Sequence, residues 1–145
     1  MSDERFSRVS VLVGEQTLAQ FNKAHVCIVG YGAVGSFAAE ALARSGVGFI
    51  RIIDGDCYSI HHINRQIGAD ESNLGKAKVD VGKQHLHEIN PDIVVECVQA
   101  IVNEANADLI DAAFSDGKRP DVVLDAIDTI DAKIELIVHC VRSGL

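Results

Sequence analysis

The sequence predicts an α/β protein of Rossmann-like type, with a mainly parallel sheet and helices on both faces. Apolar runs of strand length alternate with segments of helical periodicity along the 145 residues. A glycine-rich turn, Gly30–Gly35, joins the first apolar run to the first of these helical segments, and the second run ends in Asp54. Strand, glycine turn, helix, strand and acid in this order are typical of a mononucleotide-binding βαβ unit.

Apolar runs and helical periodicity predict the bounds of each strand and helix. We expect an N-terminal helical arm over residues 1–24, with a helix around Glu15–Asn22, and an ATP-binding Rossmann-like domain over residues 25–145. The predicted strands are His25–Val29, Phe49–Ile53, Ile93–Val98 and Asp121–Asp125. The predicted helices are Ala33–Ser45, Lys76–Ile89, Glu104–Phe114 and a last one capped by Thr129. Helical spacing in the first of these four predicts a buried face formed by Val34, Phe37, Ala38, Ala41 and Leu42.

The end of the chain indicates a longer protein. Gly144 is placed as a helix C-cap, after which another strand would be expected. Four strands also make a thin sheet with exposed edges. We therefore expect these residues to be the N-terminal part of a longer domain.

Composition narrows the function classes. No apolar run approaches the length of a membrane span, and the polar N-terminus lacks a signal-peptide pattern, so we expect a cytoplasmic protein without membrane contact. The formal net charge of −8 makes the chain a poor general polyanion binder. Contact with nucleic acid would need a local basic patch or a region outside these residues. The four cysteines are far apart and form no CxxC pair, which disfavours a zinc site.

The glycine turn and the acids after the second strand predict a nucleotide site. Gly30 would permit the tight turn, Gly32 would let backbone N–H groups approach a phosphate, and Gly35 would let the helix pack closely. Asp54 could accept hydrogen bonds from both ribose hydroxyls. Asp56 is either a supporting residue of the site or an ordinary loop charge.

Basic residues farther along favour a nucleoside triphosphate over a dinucleotide. The planar guanidinium of Arg65 and the ammonium of Lys78 suit the charge that develops when a phosphate chain is attacked. Asp128, after the fourth strand, would face the same cleft and could hold Mg²⁺ between phosphate oxygens. The alternatives are a solvated helix face for the lysines and simple strand-end caps for Asp125 and Asp128. Adjacent side chains rarely point at one ion, so His61 and His62 are not expected to form a metal site.

Five motifs in a fixed order resemble a known family. GYGAVG, DGD, NRQ, GKAK and DAID follow one another as in the ubiquitin-activating-enzyme-like adenylating superfamily, which includes the bacterial ThiF, MoeB and HesA proteins. The segment Arg5–Arg8 also resembles the R-aromatic-x-R start of that family. The resemblance covers almost the whole chain and implies the N-terminal part of a ThiF-type domain.

The resemblance implies roles for individual residues. Family members bind ATP with Mg²⁺ and adenylate a carboxylate, so Gly30, Gly32 and Gly35 would form the phosphate loop and Asp54 the ribose ligand. Arg65 and Lys78 would be catalytic and grip the phosphates. Asp56 and Asn64 would lie near ATP, and Asp128 would organise Mg²⁺. Arg8 would act across a homodimer, in the site of the partner subunit. One departure is His62, which takes the position where the family often has an asparagine.

Within the superfamily, the motifs are most similar to the tRNA threonylcarbamoyladenosine dehydratase branch, whose members use ATP to cyclise a modified adenosine in tRNA. That likeness implies a tRNA substrate. Three alternatives stay open from the residues alone. They are activation of a ubiquitin-like sulfur-carrier protein, an NAD-binding oxidoreductase domain, and a non-catalytic nucleotide-binding or dimerisation module.

Overall fold

The computed structural model describes residues 4–145, so the first three residues of the predicted arm lie outside the described residues. The helices are α1 (Ser7–Val13), α2 (Glu15–Phe21), α3 (Ala33–Arg44), α4 (Lys78–Ile89), α5 (Asp108–Asp111) and α6 (Ile130–Ser143). The strands are β1 (His25–Val29), β2 (Phe49–Ile53), β3 (Val94–Val98) and β4 (Val122–Asp125). No helix among residues 4–145 has the length and apolar character needed to cross a bilayer.

The four strands form one parallel sheet in the order β3-β2-β1-β4. In its register, Val29 at the end of β1 lies opposite Ile53 on one side and Asp125 on the other. The chain runs from β1 to β2 and β3 in one direction and then returns to place β4 on the far side of β1. The sheet therefore has a topological switch point beside β1, where ligands of such sheets bind.

Helices cover both faces of the sheet, which confirms the predicted architecture. Val26 and Ile28 of β1 belong to one buried cluster, together with residues of α3 and α4. Cys27 and Val29 point the other way, into a second cluster with residues of α5 and α6. The alternation along β1 thus buries both faces of the strand, as expected for a parallel sheet.

The predicted buried face of α3 is wrong for Val34 and Phe37, although Leu42 packs against the core. Val34 and Phe37 are 68% and 61% exposed. The buried side of the helix instead carries small residues: Gly35, Ser36, Ala39 and Ala43. A Cβ added to Gly35 would overlap the carbonyl oxygen of Gly30. The helix therefore begins too close to the strand for large side chains, and Val34 and Phe37 in its first turns face outward.

The predicted helix over residues 104–114 is also wrong in its extent. A single 3₁₀ turn, Glu104–Asn106, precedes the short α5, which ends at Asp111. Arg51 of β2 donates hydrogen bonds to the carbonyl oxygens of Ala112 at 2.7 Å and Ala113 at 2.9 Å. A buried arginine from the sheet therefore binds carbonyls that follow the helix, and this tertiary contact overrides the helical propensity of the segment.

The N-terminal arm packs against the turn between α3 and β2. Phe6 is buried, and a Cβ added to Gly46 would lie 3.0 Å from Leu18 Cδ1 and 3.4 Å from Phe6 Cδ1. Arg5, next to Phe6, donates to Asp92 Oδ2 at 2.7 Å. The arm thus packs at the end of the sheet where β1 begins, away from the carboxyl ends of the strands.

Candidate nucleotide-binding site

A cleft of about 570 Å³ lies beyond the carboxyl ends of β1, β2 and β4. Seven of the ten predicted site residues line it: Gly30, Gly32, Asp54, Asp56, Arg65, Lys78 and Asp128. Its volume is within the range of small-molecule sites, about 300–1,000 Å³. Because the seven residues come from three loops and the first residue of α4, the fold brings together groups up to 98 positions apart in the chain.

The glycine turn forms the floor of the cleft. Gly30 has φ +94°, and a Cβ there would lie 2.6 Å from the carbonyl oxygen of Ala126. A Cβ on Gly32, in contrast, would meet only Gln66 Nε2 at 3.6 Å, which is an ordinary contact. Gly30 is thus required by the turn itself, whereas Gly32 leaves open the space in front of α3. The first-turn N–H groups of α3 can therefore face an anion in the cleft.

Asp54 is oriented by two backbone amides. The N–H of Tyr31, inside the glycine turn, donates to Asp54 Oδ2 at 2.6 Å, and the N–H of Asp56 donates to Oδ1 at 2.8 Å. Each carboxylate oxygen keeps a second lone pair for another donor. The carboxylate is therefore held beside the glycine turn with capacity to accept hydrogen bonds from a diol.

Lys78 is a buried cation at the start of α4. Its Nζ donates to Asp56 Oδ2 at 3.0 Å and lies 3.9 Å from Asp54 Oδ1. The backbone N–H of Lys78 also donates to the carbonyl oxygen of Asp56 at 3.0 Å. Asp56 therefore supports Lys78 through both its backbone and its side chain. Lys76, in contrast, is exposed and donates to Asn73 Oδ1 at 3.0 Å.

Arg65 is exposed at the rim of the cleft. Its Nη1 donates to the carbonyl oxygen of His61 at 2.8 Å and to Asn64 Oδ1 at 2.8 Å. Asn64 is itself exposed and is not among the cleft-lining residues. Its contact in the structure is with Arg65, so it lies beside the cleft and holds the guanidinium.

The two acids near the end of β4 have different surroundings. Asp125 accepts from the N–H of Ile127 at 3.1 Å and from Lys133 Nζ at 2.7 Å, so it acts as the strand-end cap. Asp128 is exposed and lines the cleft, and its Oδ1 accepts a long 3.4 Å bond from Thr129 Oγ1. Asp128 is thus the acid that can reach a ligand.

A divalent cation at Asp128 would need ligands from the nucleotide. Within residues 4–145, no group of three or more His, Cys, Asp or Glu side chains is arranged to hold a metal. Mg²⁺ commonly binds through one or two carboxylates together with phosphate oxygens and water. Asp54 and Asp56 lie beside Lys78, so Asp128 is the carboxylate in the cleft that fits Mg²⁺ arriving with a phosphate chain.

The two remaining predicted residues lie outside the cleft wall. Gly35 is buried behind the turn, where it permits the close approach of α3 to β1. Arg8 is exposed on α1 and is not among the cleft-lining residues.

Four polar lining residues were not predicted as site residues: His61, His62, Gln66 and Thr129. Gln66 is 7% exposed, and its Oε1 is buried without a hydrogen-bond partner among residues 4–145. His62 is 8% exposed, and its Nδ1 accepts from the N–H of Ser59 at 3.1 Å. Burial, followed by the nearby charges of Lys78, His61 and Arg65, lowers the pKa of His62 below 6.5. The available signal for Gln66 was its place in the NRQ motif.

Comparisons with known proteins agree with this geometry. The chain is 41% identical over 143 residues to the tRNA threonylcarbamoyladenosine dehydratase of Escherichia coli (strain K12), covering 98% of this chain and 51% of that protein. It is 40% identical over 141 residues to the Bacillus subtilis (strain 168) protein of the same name, covering 97% and 54%. The crystal structure of the E. coli enzyme, TcdA, in complex with ATP superposes with a TM-score of 0.90 at 40% identity, covering 98% of this chain and 56% of that one.

The chain therefore spans about half the length of these relatives. The model of the ThiF family matches residues 6–145, which is nearly the whole chain. This protein belongs to the ThiF family.

Proposed function

We propose that this protein binds ATP with Mg²⁺ and adenylates a carboxylate. The observation that carries the proposal is the convergence of Lys78 and Arg65 on the cleft that also holds the glycine turn and Asp54. A triphosphate needs both an anion-binding turn and separate cations along its length. The basic pair and the ThiF membership favour ATP over the NAD alternative.

In the proposed reaction, a substrate carboxylate oxygen attacks the α-phosphorus of ATP in line with the leaving group. An O–P bond forms to give an acyl adenylate, while the bond from the α-phosphorus to the bridging oxygen breaks and releases pyrophosphate. Mg²⁺ supplies charge neutralisation of the phosphate oxygens when bound, with Asp128 as its protein ligand. Asp54 would hold the ribose and so fix the α-phosphorus in the cleft.

Lys78 and Arg65 would act on the charge that moves to the leaving pyrophosphate. Lys78 is already held by Asp54 and Asp56, and Arg65 by Asn64 and the carbonyl oxygen of His61. Groups that are positioned before the reaction stabilise developing charge without reorganisation. The catalytic contribution therefore needs neither a covalent enzyme intermediate nor a proton transfer from the protein.

The carboxylate we propose is the threonyl carboxylate of threonylcarbamoyladenosine in tRNA. The E. coli and B. subtilis relatives carry the corresponding name, and their identities of 41% and 40% support the same substrate class. Ring closure within the activated nucleoside would expel AMP, with net loss of water. With a net charge of −8, tRNA contact would require a local basic patch or a region outside these residues. This substrate would place the reaction in the cytoplasm.

We also propose that the protein acts as a homodimer in which Arg8 of one copy reaches the cleft of the other. Arg8 is exposed and is not part of the cleft wall of its own chain. An exposed arginine outside its own cleft wall can enter the cleft of a second copy.

The adenylation step is tested by ATP–pyrophosphate exchange with tRNA that carries the modified adenosine. Arg65→Ala and Lys78→Ala should each lower exchange at least about tenfold, the effect of losing one charged hydrogen bond of about 1.5 kcal/mol. Lys76→Ala is the matched control, since Lys76 is exposed and lies two positions from Lys78. Unchanged exchange in both cleft variants would refute the assignment. If exchange depends on a ubiquitin-like protein and not on tRNA, the substrate is the carboxylate of a sulfur-carrier protein.

A further inference from the structure

Tyr31 connects the glycine turn to helix α4. It lies inside the turn, is 2% exposed, and is not among the cleft-lining residues. Its backbone N–H donates to Asp54 Oδ2 at 2.6 Å. Its ring lies against α4, where a Cβ added to Gly82 would be 2.6 Å from Tyr31 Cε1 and 2.7 Å from Tyr31 Cζ. One residue therefore contacts both the carboxylate of Asp54 and the helix that supplies Lys78.

The contact with Gly82 sets how closely α4 approaches the glycine turn. Gly82 lies in the interior of α4, where glycine destabilises a helix relative to alanine. The ring of Tyr31 occupies the space that a side chain at this position would need. Residues four apart share one face of a helix, so Gly82 lies one turn along the same face from Lys78. The ring thus packs on the face of α4 that carries the buried ammonium.

The position of Lys78 depends on this spacing. Its Nζ donates to Asp56 Oδ2 at 3.0 Å and lies 3.9 Å from Asp54 Oδ1. The main chain of Tyr31 holds the Asp54 carboxylate, and the ring of Tyr31 holds the helix that carries the ammonium. Burial raises the pKa of the Tyr31 hydroxyl well above its usual range, so the side chain stays neutral and acts by packing.

We propose that Tyr31 is a positioning residue for Lys78, whose ring holds the start of α4 at the distance from the glycine turn at which the ammonium meets the phosphate chain. The proposal rests on the proposed ATP site and adds no contact with the nucleotide. Lys78 is assigned to charge that develops in the transition state. Displacing α4 should therefore lower kcat and leave the KM for ATP nearly unchanged.

Substitutions on both sides of the contact test this role. Gly82→Ala forces a methyl group against the ring and should lower kcat of ATP–pyrophosphate exchange about tenfold, with the KM for ATP within about threefold of the wild type. Tyr31→Phe keeps the ring and should stay within about twofold in both constants. Leu86→Val on the same helix is the control for lost stability alone, because Leu86 is buried and lies outside the cleft wall. It should keep the wild-type kcat.

Two further measurements separate positioning from a purely structural role. In a Lys78→Ala background, Gly82→Ala should cause no further loss of exchange, whereas independent effects would multiply to about a hundredfold. In a crystal structure of Gly82→Ala without nucleotide, Lys78 Nζ should lie beyond hydrogen-bond distance of Asp56 Oδ2.

Multiplied losses in the double variant, or a wild-type kcat in folded Gly82→Ala, would overturn the role of Tyr31. An unchanged Lys78–Asp56 hydrogen bond in the Gly82→Ala structure would also overturn it. If Lys78→Ala alone still lowers exchange in these cases, the ATP site itself stands. Absence of exchange by the wild type would overturn both proposals.

Discussion

Lys78 Nζ donates a hydrogen bond to Asp56 Oδ2 over 3.0 Å, joining the start of α4 to the loop that follows β2. The ammonium is almost fully buried, whereas the Asp56 side chain is 60% exposed. A buried cation with one hydrogen-bonded carboxylate and a second carboxylate oxygen at 3.9 Å is held in place but keeps donors for a ligand, since an ammonium has three N–H groups. Asp56 thereby becomes a residue that positions Lys78.

Asp56→Asn is therefore expected to be milder than Lys78→Ala. The amide can still accept from Lys78, but the charge that orients the ammonium is lost, so ATP–pyrophosphate exchange should fall about two- to tenfold. Glu71→Gln removes an exposed acid from the same loop and should leave exchange unchanged. A loss in Asp56→Asn as large as that in Lys78→Ala would instead indicate that Asp56 contacts the nucleotide directly.

Alanine substitution should affect stability at two glycines of the turn and ATP binding at the third. Gly30→Ala forces a Cβ against Ala126 at positive φ, and Gly35→Ala forces one against Gly30, so each should lower stability by about 1–3 kcal/mol or more. Gly32→Ala should fold normally, since its Cβ would make only an ordinary contact, yet weaken ATP binding by narrowing the approach to α3.

Chemical denaturation and ATP titration of the same samples distinguish these effects. Gly117→Ala is the control for strain alone, because it also has positive φ but a Cβ there would have no neighbour within 4 Å. Equal destabilisation by Gly32→Ala and Gly30→Ala would contradict the expectation that Gly32 is needed for ATP binding and not for the fold.

The two acids near the end of β4 should also differ. Asp128→Asn should leave the unfolding midpoint unchanged, because its described side-chain contact is one long hydrogen bond, and should raise the Mg²⁺ concentration needed for ATP binding. Asp125→Asn should lower stability by about 0.5–1.5 kcal/mol, because it weakens the bonds from Lys133 and Ile127. Magnesium titrations at fixed ATP, with thermal unfolding in parallel, test both. If Asp128→Asn shifts the unfolding midpoint but leaves the Mg²⁺ requirement unchanged, Asp128 is a structural residue and not the Mg²⁺ ligand.

Stability in acid should depend on Glu96. Burial disfavours its charged form, but hydrogen bonds and charge from Arg51, together with the N–H of Ser115, outweigh burial and lower the pKa of Glu96 below 4.5. A carboxyl whose folded-state pKa is depressed stabilises the fold above its unfolded pKa and loses that contribution as pH falls through the folded value.

Glu96→Gln should therefore be less stable than the wild type at pH 7, by about 1–3 kcal/mol. The two proteins should converge as pH falls through the lowered folded-state pKa of Glu96, where the wild-type carboxyl becomes protonated. Urea unfolding at a series of pH values measures the difference, and comparison with the variant removes the contribution of other acids. A difference that stays constant with pH would exclude the Arg51 pair as its source.

The proposed dimer predicts complementation between inactive variants. An equal mixture of Arg8→Ala and Lys78→Ala subunits should recover about one quarter of wild-type exchange, since half of the random dimers would have one intact site. Each variant alone should be inactive at the same concentration, and sedimentation should show a dimer for both. If the two variants form mixed dimers but ATP–pyrophosphate exchange does not recover, Arg8 does not act in the partner's site.

The strands were the most predictable part of the fold. His25–Val29 and Phe49–Ile53 match β1 and β2 residue for residue, because a strand buried on both faces is a continuous apolar run between turn residues. The glycine turn and Asp54 were likewise predictable, since their spacing encodes a strand–turn–helix unit. The end of α5 was not, because Arg51, more than fifty residues earlier in the chain, binds the carbonyls beyond that helix.

By itself, the sequence determined the order of strands and helices, the glycine turn and the residue types available for a phosphate site, because these depend on local periodicity and spacing. Only the tertiary structure decided that Lys78 is buried between Asp54 and Asp56 while Lys76 is exposed, and that Asp128 faces the cleft while Asp125 caps a strand. These distinctions depend on which groups meet across loops, and a parallel sheet brings those loops together only after it has folded.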